Sequence, residues 1–139
     1  MLRGANAVYV SGVESTQIVR VADQTGTRLP AGNSAAGRVL LAALPLERVR
    51  TLYPDGTVPA TDRVPQMSRD ELERKLASTR RRGYEVARGT DFVSVAVPLV
   101  IAGKPMTALG VAAPPRRGTN EWQRTARSTL LRVAQEIQH

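Results

Sequence analysis

The segment Phe92 to Val100 constrains the fold more than any other stretch of the chain. Phe92, Ser94, Ala96 and Pro98 alternate with Val93, Val95, Val97 and Leu99, so a strand drawn through it is apolar on both faces. Such a strand belongs at the centre of a sheet that is covered on both sides. Ile101-Ala102-Gly103-Lys104 predicts a turn that returns the chain through Met106 to Ala113, completing a main hairpin. Tyr84 to Ala87 reads as a further strand, followed by a polar turn at Arg88-Gly89-Thr90-Asp91. Ala7 to Val10 and Gln17 to Val21 read as an N-terminal hairpin.

Helices fill the spaces between these strands. Asp23 to Gly32 carries no hydrophobic period and collects Gly, Pro and Thr, which predicts a loop. Asn33 or Ser34 can then cap a helix in which Ala36, Val39, Leu40, Ala43 and Leu44 recur at three- and four-residue spacing, with Gly37 inside it and Pro45 closing it. Leu46 to Tyr53 predicts a short second helix, and the proline-rich stretch Pro54 to Gln66 an extended connection. Ser68-Arg69-Asp70-Glu71 is a capping box, and the helix it opens has Leu72 and Leu76 on its buried edge and stops at Gly83. Asn120-Glu121-Trp122-Gln123 predicts the cap of a last helix, whose Trp122, Ala126, Leu130, Val133, Ala134 and Ile137 share one face. The expected order is β-β-α-α-α-β-β-β-α, an α+β fold with an antiparallel sheet, and 139 residues suit one domain.

Composition excludes several functions. With no Cys there is no disulfide, thiol nucleophile or Cys-based zinc site. The single His is the terminal His139, and Asp70, Glu71 and Glu73 sit where a helix dipole favours them. No phosphate-binding loop, dinucleotide fingerprint or nucleophile elbow occurs, so no catalytic residue, metal or cofactor is expected. Turnover would revive a small enzyme as a reading. No apolar run reaches the length of a membrane span, and Met1 to Asn6 lack a leader's apolar core, so a cytoplasmic setting and no membrane partner are expected.

The net charge is +8, and 18 of the 20 basic residues are Arg. Most of them, Arg38 among them, stand singly or in spaced pairs, and no aromatic stripe lies among them to stack bases. Most of this charge is therefore read as solvated surface, predicting weak, salt-dependent and non-selective binding of duplex DNA.

Leu29 to Ala42 is more specific. A loop entering a helix whose first turn is small leaves the amides of Ala35, Ala36 and Gly37 uncovered, and free amides at a helix start attract anions. Tight packing of small residues on a sheet explains the same pattern equally well.

Four stretches in order carry a resemblance that covers nearly the whole chain. Asn33 to Leu44 resembles the small-residue Gly-Lys-x-Leu-Leu-Ala helix of the effector-binding domain of IclR-type bacterial transcriptional regulators. Glu71 to Tyr84 is similar to that family's helix ending in Arg-x-x-Gly-Tyr. Ser94 to Leu99 resembles its Cys-x-Ala-Ala-Pro-Val strand, and Ala108 to Pro114 its Ala-x-Ser-Val-Ser-Gly-Pro strand.

The resemblance implies a GAF-like antiparallel sheet flanked by helices that binds a small organic acid. It also implies self-association to a dimer or tetramer, and contact with DNA only through an N-terminal winged helix-turn-helix, which is expected to lie outside residues 1–139. A GAF-like module that mediates protein contacts or dimerisation without a ligand is the alternative. Carried over position by position, the resemblance places the ligand at Asn33, Ser34, Ala35 and Ala36, at Ser94 where the family often has Cys, and at Gly110 and Ala112 where it often has two serines. Arg88 is expected as a cationic partner for a carboxylate, because the loop before Ser94 is short and lacks the family's acidic run. The family's usual His before the small-residue helix is also missing. A pocket with Gly and Ala in place of two hydroxyls is expected to favour a larger, mostly apolar or aromatic carboxylate over a two- or three-carbon keto acid.

Overall fold

The computed structural model describes residues 2–3, 6–8, 28–61, 64–100, 102 and 107–138. Three short strands, β1 (Leu2–Arg3), β2 (Asn6–Val8) and β3 (Arg28–Pro30), form one sheet. A 3-10 turn at Ala31–Asn33 leads into α1 (Ala35–Ala42) and α2 (Leu46–Leu52). The strands β4 (Thr57–Val58) and β5 (Met67–Ser68) pair with each other ahead of α3 (Arg69–Arg82). Then come β6 (Glu85–Arg88), β7 (Val93–Leu99), β8 (Thr107–Ala113) and α4 (Asn120–Gln138). None of the described helices is long and apolar enough to cross a membrane.

The α+β expectation holds, and β7 is the central strand of an antiparallel sheet ordered β6-β7-β8. Its two apolar faces go to different layers. Val95, Val97 and Leu99 pack with Ala126, Leu130 and Ala134 of α4, while Ala96 packs with Ala87 of β6 and with Ala35 and Val39 of α1. Behind α1 a second core joins Leu41 to Val49 and Tyr53 after α2, Val58 of β4, and Leu72 and Leu76 of α3. Helix α1 is thus buried between the sheet and α3, and of its eight residues only Ala36 is not fully buried.

Local signals decide most of the boundaries. Ser68 Oγ accepts from the Glu71 amide at 3.0 Å, opening α3, and Gly83 closes it at φ +79°, a conformation that glycine alone adopts freely. Gly89 is needed for another reason: a Cβ there would lie 2.1 Å from the Phe92 ring, which caps the turn between β6 and β7.

Four expectations are corrected. Arg28–Pro30, expected in a loop, is a strand paired antiparallel with β2; Pro30 is the last residue of β3, the outer strand of its sheet, and edge strands are where proline is tolerated. The extended stretch Pro54 to Gln66 contains β4, whose Val58 is wholly buried. The last helix is capped by Thr119 rather than Asn120, since Thr119 Oγ1 accepts from the Trp122 amide at 3.1 Å. Ile137 is 47% exposed. The 19-residue α4 runs about 28 Å while the seven-residue β7 runs about 23 Å, and Ile137 follows Ala134, the last α4 residue in their shared core. Of the expected N-terminal hairpin, Ala7 and Val8 fall in β2, and Gln17 to Val21 lies outside the described residues.

Candidate ligand-binding site

The register of β6, β7 and β8 fixes which side chains face α1. Glu85 pairs with Ala96 and Ala87 with Ser94, and across the other ladder Ser94 pairs with Ala112, Ala96 with Gly110 and Pro98 with Ala108. These residues share one face of the sheet, because successive side chains alternate. Ser94, Gly110 and Ala112 are therefore brought together as the alternation predicts. Helix α1 lies over them. A Cβ added to Gly110 would stand 4.0 Å from the Cβ of Ala36 and 3.3 Å from the carbonyl oxygen of Val95.

The start of α1 is a side-chain-capped turn. Ser34 has extended backbone, and its Oγ accepts from the Gly37 amide at 2.9 Å, while its carbonyl accepts from the Arg38 amide at 2.9 Å. Among the described residues nothing accepts from the amides of Ala35 and Ala36. Asn33 is 95% buried: its Nδ2 donates to the carbonyl of Pro59 at 3.0 Å, and its Oδ1 has no partner. The Oγ of Ser94 is also buried and unpartnered. Buried polar atoms without partners are uncommon, and a ligand is one of the things that satisfies them.

Arg88 stands apart from this group. It pairs with Val93, on the face of the sheet that carries Val86 and Val95 and meets α4. Both faces were open to Arg88 on the sequence, and the register decides against the one that carries Ser94.

Two residues that anchor the site were not among those expected from the sequence. Tyr53 is 95% buried, and its hydroxyl accepts from the Gly32 amide at 3.1 Å, tying the turn before α1 to the end of α2. Burial pushes its pKa above the usual phenol value, opposed by the Gly32 hydrogen bond. Arg38, read on the sequence as surface charge, is 96% buried. Its Nε donates to Glu85 Oε2 at 2.8 Å, its Nη1 to the carbonyl of Gly32 at 3.2 Å, and its Nη2 to that of Val86 at 3.2 Å. The signal was present in the sequence, since Arg38 shares a helical face with Leu41 and Ala42.

Chemically, this face can bind but has little with which to react. Its only ionisable group among the described residues is Glu85, and that carboxylate is already held by Arg38, Arg82 and the Val86 amide. What remains is a set of neutral donors, the two helix-start amides and the Ser94 hydroxyl, set among alanines.

The comparisons with known proteins agree with this layout. The family model "Bacterial transcriptional regulator IclR C-terminal" matches residues 1–139. The acetate operon repressor of Salmonella typhimurium is 28% identical over 136 residues, which are 94% of this chain and 49% of that protein, so the chain spans about half the length of such relatives. The IclR structure of Thermotoga maritima superposes with a TM-score of 0.80 at 25% identity, covering 99% of this chain and 57% of that one. An IclR homologue of Microbacterium hydrocarbonoxydans, solved in complex with 4-hydroxybenzoate, shares the fold with a TM-score of 0.77 at 20% identity, covering 98% of this chain and 57% of its own. With the four sequence stretches in their expected elements and the family model matching end to end, the chain belongs to the C-terminal domain family of IclR-type bacterial transcriptional regulators.

Proposed function

We propose that this domain senses a small organic acid bound between the start of α1 and the face of β7 and β8 that carries Ser94, Gly110 and Ala112. The ligand state then governs DNA binding by a part of the regulator outside this chain. One observation carries the reading: a buried Ser94 Oγ without a partner stands on the sheet face beneath a helix whose first two amides have no acceptor among the described residues. A carboxylate accepts from amides and hydroxyl together, and alanine walls suit an apolar or aromatic body. Asn33 and Ser34 hold the turn, Ala35 and Ala36 supply the amides, and Arg88 is not part of the site. The Microbacterium homologue, which shares the fold and was solved in complex with 4-hydroxybenzoate, supports an aromatic acid as the class to try first. Self-association of the domain, implied by the same family, belongs to this proposal and is read by sedimentation with and without ligand.

Thermal unfolding tests it. A ligand that binds only the native state raises the midpoint in proportion to the logarithm of its concentration. Aromatic carboxylates should raise the midpoint of this chain at millimolar concentration. No shift across a broad panel of organic acids would leave a protein-contact module as the better reading.

A further inference from the structure

Arginines scattered along the sequence are not scattered in space. Arg38 of α1, Lys75 and Arg82 of α3, Arg88 of β6, and Arg124 and Arg127 of α4 line one cleft of about 610 Å³ along the outer edge of β6. Tyr84 and Val86, which pack on the α4 side of the sheet, are part of its lining. Opposing charge is scarce. Glu71 lies on the wall, and Glu85 behind it is already shared between Arg38 at 2.8 Å and Arg82 at 2.9 Å. Among the described residues Lys75, Arg88 and Arg124 have no carboxylate partner. Arg82 and Arg127 both rest on the Tyr84 ring, 4.5 and 4.6 Å from its centre, which holds two like charges close together. Asn120, the first residue of α4, also borders the cleft, so the positive end of that helix dipole adds to the field.

Uncompensated cations around a concave space repel one another and focus a field that an anion relieves. The cations come from four elements and converge on one concave space instead of following an extended track. The volume falls within the roughly 300–1,000 Å³ of small-molecule sites. We infer that this cleft binds a compact polyanion, a small molecule with two or more phosphate or carboxylate groups, at a site separate from the one that faces α1. Guanidinium forks suit such groups because each can donate two parallel hydrogen bonds.

Calorimetric titration of the chain with inorganic pyrophosphate and, separately, citrate at low ionic strength tests the inference. One saturable site that weakens with added salt is expected. The double variant Arg88→Ala/Arg124→Ala removes two exposed cations without a carboxylate partner and should weaken binding about tenfold or more. Arg116→Ala/Arg132→Ala removes the same charge outside the cleft and should change it little; an equal loss in both variants means a general charge effect and overturns the inference. Absence of binding by the unaltered chain overturns it too. So does duplex DNA that displaces pyrophosphate and loses affinity in the cleft variant, which would make the cleft a nucleic-acid surface. Added 4-hydroxybenzoate should not displace pyrophosphate, and competition between them would merge the two sites and contradict the claim that they are separate.

Discussion

Arg38 Nε and Glu85 Oε2 stand 2.8 Å apart, with both side chains 5% exposed. The pair joins α1 to β6 across the sheet edge. Glu85 Oε1 accepts from the Val86 amide at 2.8 Å and Arg38 donates to the Val86 carbonyl, so both backbone groups of that edge residue are paired by side chains. A free strand edge is thereby closed to another chain at this point. The same arginine donates to the carbonyl of Gly32, which fixes the turn that presents the amides of Ala35 and Ala36.

Breaking this pair from one side should be costly. Glu85→Ala leaves a buried guanidinium without its carboxylate, and losses of about 3–5 kcal/mol are usual for such changes. Urea unfolding of Glu85→Ala, Arg38→Leu and the double variant should show a coupling energy, the double change costing less than the two single changes added together. Strict additivity would mean that the two residues act independently.

Tyr53→Phe removes the acceptor for the Gly32 amide while keeping the ring. A buried donor left unpaired costs about 1–3 kcal/mol, so the variant should unfold at lower urea. The alkaline behaviour follows from the raised pKa. Burial first, partly offset by the Gly32 hydrogen bond, lifts the folded-state value above 10.0; the stabilisation is fully present below 10.0 and is lost as pH rises through the folded value. The unaltered protein should lose stability above that pH more steeply than Tyr53→Phe, and parallel pH curves for the two would contradict the assignment.

Gly89→Ala tests the turn between β6 and β7. A Cβ placed 2.1 Å from the Phe92 ring forces the ring or the turn to move. Overpacking of this kind costs about 1–3 kcal/mol. Adding Phe92→Leu to the variant should restore part of the loss, and an unchanged unfolding midpoint in Gly89→Ala alone would show that the turn yields freely.

The parts of the fold that were legible in the sequence are those set by local chemistry or strict alternation. Ser68 and Gly83 delimit α3 because a side-chain cap and a left-handed stop need nothing from the rest of the chain. Ser94, Gly110 and Ala112 share a face because β7 and β8 alternate in register. What was not legible depends on pairing across distance. The side of Arg88 follows from the register of β6 on β7, where a slip of one residue would reverse every side chain. The helical face that Arg38 shares with Leu41 and Ala42 marks it for burial, but its partner Glu85 is 47 residues away, and nothing local to either residue shows the other. The convergence of basic residues along β6 is likewise a product of packing, since α1, α3 and α4 each bring only one or two of them.

The site at the start of α1 is tested most directly by calorimetry with paired ligands, 4-hydroxybenzoate against pyruvate, on the unaltered chain and on Ala36→Leu. Ala36 borders the open amides and stands over Gly110, so in the proposed site a leucine there would crowd a carboxylate at those amides while the Ser34 cap stays intact. The account predicts tighter binding of the aromatic acid than of the keto acid, and a loss of about tenfold or more, about 1.4 kcal/mol, in folded Ala36→Leu. Tighter binding of pyruvate, or unchanged affinity for the aromatic acid in the variant, would contradict it.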